Sequence, residues 1–219
     1  MLFDVDFTLA KPGPDLGPEG YRRLGRRYGL ELDPARYSDA RNAAIETLLR
    51  HPELRHDEEM WFTFTERIIR GMGGDGPSAR ELAVAMTRLW EHAENFDLYD
   101  DVLPVLAELR RARLKIGLVS NGGRELDAFV VHHELKVDCA VGSRAHGWRK
   151  PHPTIFQAAL ALLGVEPEEA AMVGDSVEDD VEGAIALGIR GFLVDREGRY
   201  PEAVERLPDL WGLPAALGL

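Results

Sequence analysis

Residues 1–9 read MLFDVDFTL, a short apolar run, Met1–Phe3, that stops at the first of two aspartates. In an extended chain residues i and i+2 project to the same side, so the carboxylates of Asp4 and Asp6 can converge just beyond a strand. Two such carboxylates repel unless a divalent cation lies between them or one stays protonated. An acidic turn on a solvated surface contains the same residues, so the interpretation depends on the rest of the chain.

The second half of the chain repeats this arrangement of an apolar run that ends at a polar residue. Beyond about Asp97 the runs alternate with segments of helical periodicity, which is typical of β-α units and a parallel sheet. Ligands of such sheets bind at the carboxyl ends of the strands. The runs are Leu114–Val119, Cys139–Val141, Ala170–Val173 and Ile189–Val194. Four polar residues come at or after the ends of apolar runs: Asp4, Ser120, Asp175 and, on a loop after a run, Lys150.

The segment from Tyr21 to about Asn95 differs from both flanks, because it shows helical periodicity and no alternating strand pattern. The sequence therefore predicts an α/β fold with a doubly wound parallel sheet. We expect the core domain to contain residues 1–15 and 97–219, and an all-helical cap domain to occupy residues 16–96.

Aromatic residues of the predicted cap follow helical spacing, as Trp61 and Phe64 do with Ile68. We expect Trp61, Phe62 and Phe64 to pack inside the cap, although one of them could face the cleft because caps close over active sites. The tail after Asp195 carries no chemistry that its sequence identifies.

Composition restricts the class of protein. The 219 residues include 26 basic and 38 acidic side chains, a formal charge of −12, which argues against nucleic acid or an anionic membrane as the main partner. The single Cys139 allows neither an intrachain disulfide nor a Cys-rich zinc site, and this fits a reducing compartment. No apolar run approaches the ~18 residues of a membrane helix, and Asp4 and Asp6 interrupt any signal-peptide core. We expect a cytoplasmic protein, whose oligomeric state the sequence leaves open.

The turn Ser120-Asn121-Gly122-Gly123 offers a hydroxyl and main-chain N–H groups that can hold an anion, although such a segment is also an ordinary loop. Lys150 is one of only four lysines beside 22 arginines. A compact ammonium fits between a carboxylate and a phosphoryl oxygen better than a guanidinium does. Taken alone, Lys150 would be a surface charge. If its segment belongs to a catalytic motif, we expect Lys150 to be the catalytic cation and the neighbouring Arg149 to be dispensable.

Asp175 follows the run that ends in Val173-Gly174, and Asp180 comes five residues later. Acidic residues at a helix start commonly compensate the helix dipole, so this segment alone is ambiguous. The occurrence of all four polar segments in this order is much less expected by chance than the occurrence of any one of them.

Together these segments resemble the four sequence motifs of the haloacid dehalogenase-like hydrolase superfamily, in its subgroup with an α-helical cap after the first motif. The segments are Asp4-Val5-Asp6-Phe7-Thr8-Leu9, Val119-Ser120-Asn121-Gly122, Arg149-Lys150-Pro151 and Val173-Gly174-Asp175-Ser176 with Asp180. The resemblance covers the whole chain, and it is specific for the superfamily but not for a substrate.

The resemblance implies a covalent mechanism. Asp4 would attack phosphorus and form an aspartyl-phosphate, while Asp6 would protonate the leaving group and later deprotonate water. Ser120 and Lys150 would hold the phosphoryl oxygens, and the phosphate-binding set would be completed by Thr8, Asn121 and Gly122.

The resemblance also implies a Mg²⁺ site. Its ligands would be the carboxylates of Asp4 and Asp175 and the main-chain carbonyl of Asp6, and Asp180 would orient them rather than bind the ion. One departure is Phe7, which is bulkier than the residue often found at this position of the family and is expected to restrict the leaving group. A second is the first strand, which has only Met1–Phe3 before the nucleophile.

The best predicted function is a Mg²⁺-dependent phosphatase that hydrolyses a small phosphomonoester metabolite. A 2-haloacid dehalogenase shares the Ser-Asn-Gly turn but does not require the acid/base Asp6. A phosphomutase would share the nucleophile and transfer phosphate to a second sugar hydroxyl. A non-catalytic binding protein on the same fold is disfavoured, because Asp4 and Lys150 are both present.

Overall fold

The computed structural model of the protein describes residues 1–49, 54–200 and 206–219. Its strands are β1 (Leu2–Phe3), β2 (Ala10–Pro12), β3 (Phe96–Leu98), β4 (Gly117–Ser120), β5 (Cys139–Gly142), β6 (Ala171–Gly174), β7 (Arg190–Val194) and β8 (Arg206–Leu207). Its α-helices are α1 (Pro18–Arg27), α2 (Tyr37–Leu49), α3 (Glu58–Gly71), α4 (Ser78–Leu89), α5 (Val102–Arg111), α6 (Leu126–His132), α7 (Ser143–His146), α8 (Pro153–Leu163), α9 (Gly183–Ile185) and α10 (Leu213–Ala216).

Six strands form a parallel sheet in the order β5-β4-β1-β6-β7-β8. From β1 the chain builds one half of the sheet through β4 and β5, and then returns to build the other half from β6 onward. The strand order thus reverses beside β1, and the carboxyl ends of β1, β4 and β6 meet at the position where doubly wound sheets bind ligands. The predicted α/β fold is confirmed.

The short central strand β1 is held by its neighbours on both sides and by helices on both faces. Leu2 and Phe3 are fully buried and point to opposite faces, as successive strand residues do. Leu2 packs with Phe156 of α8 in one apolar cluster, whereas Phe3 packs with Val105 of α5 in the other. Two residues therefore suffice for the strand, because both are enclosed in the core.

Four helices, α1 to α4, lie between β2 and β3, which pair with each other antiparallel. The two connections to the helical insertion thus form a two-stranded ribbon, with Ala10 opposite Leu98 and Pro12 opposite Phe96. β3 begins inside the expected cap range, at Phe96. The division into a core at 1–15 and 97–219 and a cap at 16–96 stays a prediction.

The segment after β6 is not the single regular helix that the sequence suggests. Residues Val177–Glu182 form a π-helical turn that leads into α9. The Ser176 carbonyl accepts hydrogen bonds from the N–H groups of both Asp180 and Val181, and the Ser176 hydroxyl accepts one from the Asp179 N–H. Such wide turns occur frequently at functional sites. Among the residues described, no helix combines the length and the apolar character needed to cross a membrane.

Candidate active site

Three strands each deliver one polar side chain to the same edge of the sheet. Asp4 directly follows β1, Ser120 is the last residue of β4, and Asp175 directly follows β6. The last residue of β6, Gly174, has no room for a side chain, because a Cβ atom there would overlap the Asp180 carboxylate. The glycine therefore allows the Asp180 carboxylate to approach the strand end.

Lys150 joins two of these carboxylates. Its Nζ lies 2.6 Å from Oδ1 of Asp4 and 2.6 Å from Oδ1 of Asp180, and its side chain is almost completely buried. Burial by itself would lower the pKa of Lys150, but the carboxylates of Asp180 and Asp4 outweigh it and raise the pKa on balance. The ammonium is therefore held charged beside Asp4.

Asp180 belongs to the carboxylate cluster itself, since single oxygens of Asp4, Asp175 and Asp180 all lie within 4.8 Å of one another. The expectation that it orients the metal ligands stays a prediction. Asp180 is also fixed by the Ser176 N–H, which donates to its Oδ2 at 3.1 Å. Asp180 is thus placed to act as a metal ligand as well as a partner of Lys150.

The cluster has the character of a cation site. Burial, together with the charge of Asp4, raises the pKa of Asp175 to about 8 and that of Asp180 to about 7. Asp175 also accepts a hydrogen bond from Nη2 of Arg199 at 3.1 Å. Carboxylate oxygens are the ligands that Mg²⁺ prefers. The donor set therefore fits Mg²⁺ through Asp4, Asp175 and Asp180.

The carboxylate of Asp6 is turned away from this cluster and toward Arg124. Nη2 of Arg124 lies 2.9 Å from Oδ1 of Asp6, and the buried guanidinium stacks 3.7 Å from the ring centre of Phe96. Burial raises the pKa of Asp6, the charge of Arg124 opposes the rise, and Asp4 adds to it. Asp6 is thus set to hold a proton near the cavity, as a general acid requires. The sequence did not indicate Arg124, since a single arginine in a loop carries no signal.

The turn after β4 behaves differently from a simple anion-binding loop. Ser120 lines the cavity, but the side-chain amide of Asn121 contacts the main chain of Lys150, and the Gly122 N–H donates to the Ser143 hydroxyl at 3.0 Å. The Asn121 side chain and the Gly122 N–H, which we expect to bind phosphate, therefore already have hydrogen-bond partners within the protein. The main-chain N–H of Asn121 has no such partner among the described residues.

Thr8 does not belong to the cavity wall, contrary to expectation. The chain turns sharply at Phe7, whose φ of 63° is unusual for a residue with a side chain, and the Phe7 N–H donates to the Ala10 carbonyl at 2.7 Å. The turn directs the Phe7 ring into the cavity and buries Thr8 completely. The Thr8 carbonyl instead accepts a hydrogen bond from Arg196 at 2.8 Å.

The tail beyond Asp195 supports the site more than its sequence suggests. Arg196 makes two hydrogen bonds of 2.9 Å with the Asp101 carboxylate, besides its bond to the loop that follows Asp6. Arg199 pairs with Asp175, as described above. The sequence does not reveal these contacts, because each joins residues that are far apart along the chain: 95 positions for Arg196 and Asp101, and 24 positions for Arg199 and Asp175.

Arg149, which we expect to be dispensable for catalysis, is buried in the structure. Its side chain is 4% exposed, and Nη1 lies 3.9 Å from Oδ1 of Asp179. Its N–H donates to the Leu54 carbonyl, which joins the lysine loop to the helical insertion. Arg149 thus has a structural place beneath the site.

A cavity of about 240 Å³ connects these residues with the helical insertion. The expectation that Trp61, Phe62 and Phe64 pack inside the cap holds only in part. Phe64 packs against the apolar core, but all three side chains are partly exposed and line the cavity. Thr65 and Ile68, on the same helix, take the buried positions. The aromatic residues of the wall are Phe7, Tyr21, Tyr37, Trp61, Phe62, Phe64 and Trp90.

Known proteins resemble this chain over nearly its whole length. The family model for haloacid dehalogenase-like hydrolases matches residues 2–188. A phosphoserine phosphatase of Thermus thermophilus is 40% identical over 96% of this chain and 93% of its own. A glyceraldehyde 3-phosphate phosphatase of Methanopyrus kandleri is 32% identical over 95% of this chain and 88% of its own. Among solved structures, a HAD phosphatase from Thermococcus onnurineus is 28% identical, with a TM-score of 0.66 and coverage of 99% of this chain and 96% of that one.

Proposed function

Since the chain belongs to the haloacid dehalogenase-like hydrolase family and hydrolyses phosphomonoesters, we propose that it does so with Mg²⁺ and through an aspartyl-phosphate on Asp4. The observation that carries this proposal is the placement of Asp4. Its carboxylate lies at the end of the central strand, 2.6 Å from the Lys150 ammonium and within the carboxylate cluster of Asp175 and Asp180.

In the first step a carboxylate oxygen of Asp4 attacks phosphorus, and the bond from phosphorus to the leaving oxygen breaks. Asp6 gives its proton to that oxygen, so the leaving group departs as an alcohol. In the second step Asp6 takes a proton from water, the water oxygen attacks phosphorus, and the bond to Asp4 breaks. The raised pKa of Asp6 supports its role as the acid.

Lys150 and Ser120 bind the phosphoryl oxygens in this proposal. Phosphoryl transfer is promoted mainly by positioning and by neutralising charge, and the buried Lys150 supplies a fixed positive charge beside the nucleophile. Mg²⁺ held by Asp4, Asp175, Asp180 and the Asp6 carbonyl would neutralise further charge on the phosphoryl group. The Asp6 carbonyl follows from the family resemblance alone.

The phosphatase names of the relatives favour hydrolysis over the dehalogenase and phosphomutase alternatives. We propose a small soluble metabolite as the substrate, because the cavity is smaller than the usual 300–1,000 Å³ of ligand pockets. A cytoplasmic location stays a prediction from the single cysteine.

The covalent step is tested by Asp4→Asn, which is nearly isosteric but removes the nucleophile. The variant should release no phosphate from 4-nitrophenyl phosphate and should give no hydroxylamine-sensitive phosphoprotein after an acid quench. The exposed Asp39→Asn is the control and should match the unaltered chain in both assays. Turnover of Asp4→Asn at the unaltered rate would exclude the covalent mechanism, and full activity in excess chelator would exclude the metal.

A further inference from the structure

Among the described residues of the helical insertion, Arg41 of α2 is the one cation in the cavity wall. Its guanidinium lies over the ring of Phe7, 4.5 Å from the ring centre. Among the residues that the structure describes, it has no ion pair with a carboxylate. Other arginines of the insertion differ in this respect, because Arg70 pairs with Glu66 and Arg80 pairs with Glu59.

The carboxylates that the insertion contributes to the wall are already neutralised. Glu58 lies 2.9 Å from Nη2 of Arg144, and Glu91 lies 3.2 Å from Nη1 of Arg88. This side of the cavity therefore presents a positive charge without a matching negative one. On the described part of the insertion that lines the cavity, an ammonium group of a substrate would find no carboxylate without a cationic partner.

Other groups that the insertion contributes to the same cavity wall are a donor and weakly polar rings. The indole N–H of Trp61 is buried and has no acceptor among the described residues. The rings of Tyr21 and Tyr37 contact each other in a tilted arrangement, with centres 5.3 Å apart and an interplanar angle of 59°. Burial raises the pKa of both phenols, and the charge of Arg41 partly opposes this rise. The wall thus supplies positive potential and flat apolar surface, which together favour an anion on a flat body.

We propose that Arg41 binds a carboxylate carried by the leaving group, and that the substrates are small phosphomonoesters with a flat apolar body between phosphate and carboxylate. This inference rests on the proposed function, because the phosphate end is placed at Asp4 and Lys150. The volume of about 240 Å³ limits the body to a size near one ring.

The test compares 4-carboxyphenyl phosphate with 4-carbamoylphenyl phosphate, which have the same shape and differ in charge. The unaltered protein should prefer the carboxylate ester in kcat/KM. Arg41→Gln should lower the ratio of the two values at least about tenfold, as expected for loss of a charge-assisted hydrogen bond. Arg41→Lys should retain part of the preference, and Arg27→Gln, on the exposed face of α1, should keep the unaltered ratio.

A ratio that Arg41→Gln leaves unchanged would overturn the inference while the proposed function stands. A preference for O-phospho-L-serine over both aryl esters would also overturn it, since that substrate brings an ammonium group. If the unaltered protein releases phosphate from none of these esters, the proposed function fails first and the inference falls with it.

Discussion

The side-chain amide of Asn121 holds the main chain of Lys150 from both sides. Its Oδ1 accepts a hydrogen bond from the Lys150 N–H at 2.7 Å, and its Nδ2 donates to the Lys150 carbonyl at 3.0 Å. Nδ2 also lies 3.2 Å from Oδ2 of Asp179. The residue after the end of β4 thus fixes a loop that is 29 residues further along the chain, and with it the ammonium beside Asp4.

We therefore expect Asn121 to act through Lys150 rather than through phosphate. Asn121→Ala should lower kcat by about tenfold or more, because a small displacement of a catalytic group is costly, and should leave KM nearly unchanged. In a Lys150→Ala background the same change should cause no further loss. Steady-state kinetics of the two single variants and the double variant measure this. Losses that multiply, or a raised KM, would instead support direct phosphate binding.

Substitutions of Lys150 should lower activity, whereas substitution of Arg149 should mainly lower stability. Lys150→Ala removes the charge beside Asp4, so we expect kcat to fall by about 10²–10³, as for loss of one preorganised donor. Lys150→Arg should be similarly impaired, because a planar guanidinium does not fit between two carboxylates that each contact a single Nζ at 2.6 Å. Arg149→Ala should mainly lower Tm, since it removes a buried side chain and the positive charge beside Asp179. A larger loss of kcat in Arg149→Ala than in Lys150→Ala would reverse this assignment.

Arg124 should set the pH dependence of the acid. Because its charge lowers the pKa of Asp6, Arg124→Met should raise that pKa and keep Asp6 protonated to higher pH. The alkaline limb of the pH profile of kcat/KM for an alkyl phosphate should therefore shift to higher pH.

4-Nitrophenyl phosphate provides the comparison for this prediction, because its leaving group departs without a proton and its alkaline limb should stay in place. Arg110→Met, which removes an exposed ion pair with Asp138, serves as the control variant. Equal shifts for both substrates would show that Arg124 acts on something other than the acid.

Without a divalent cation, the free energy of unfolding should fall as pH rises from about 4 to about 8. Over this range folded Asp180 and Asp175, with pKa values raised to about 7 and about 8, hold protons that the unfolded chain has released. The folded state binds more protons than the unfolded chain, so the free energy of unfolding decreases as pH rises. Urea unfolding in excess chelator at several pH values measures the slope.

Two comparisons make this stability prediction specific. Mg²⁺ should remove much of the decrease, because a bound cation replaces the protons and stabilises the folded state by mass action. Asp175→Asn should flatten the slope, whereas the exposed Asp39→Asn should keep it. A slope in Asp175→Asn as steep as in the unaltered chain would show that the cluster is not its source.

The sequence by itself was enough to predict the parallel sheet and the residues that end its strands. Asp4, Ser120 and Asp175 are identifiable because each ends a short apolar run, and the alternation of such runs with amphipathic helices constrains the topology. The separate character of the helical insertion was also visible, because its apolar residues recur at helical and not at strand spacing.

The tertiary structure alone decided which side chains face one another. The pairing of Asn121 with Lys150, of Arg124 with Asp6 and of Arg199 with Asp175 joins segments 24 to 118 residues apart, and periodicity carries no information about such distances. The same holds for Trp61 and Phe64, since helical spacing shows that they share a face but not whether that face meets a core or a cavity. Only the packing of the insertion over the end of β1 settles that question, because burial depends on what lies opposite.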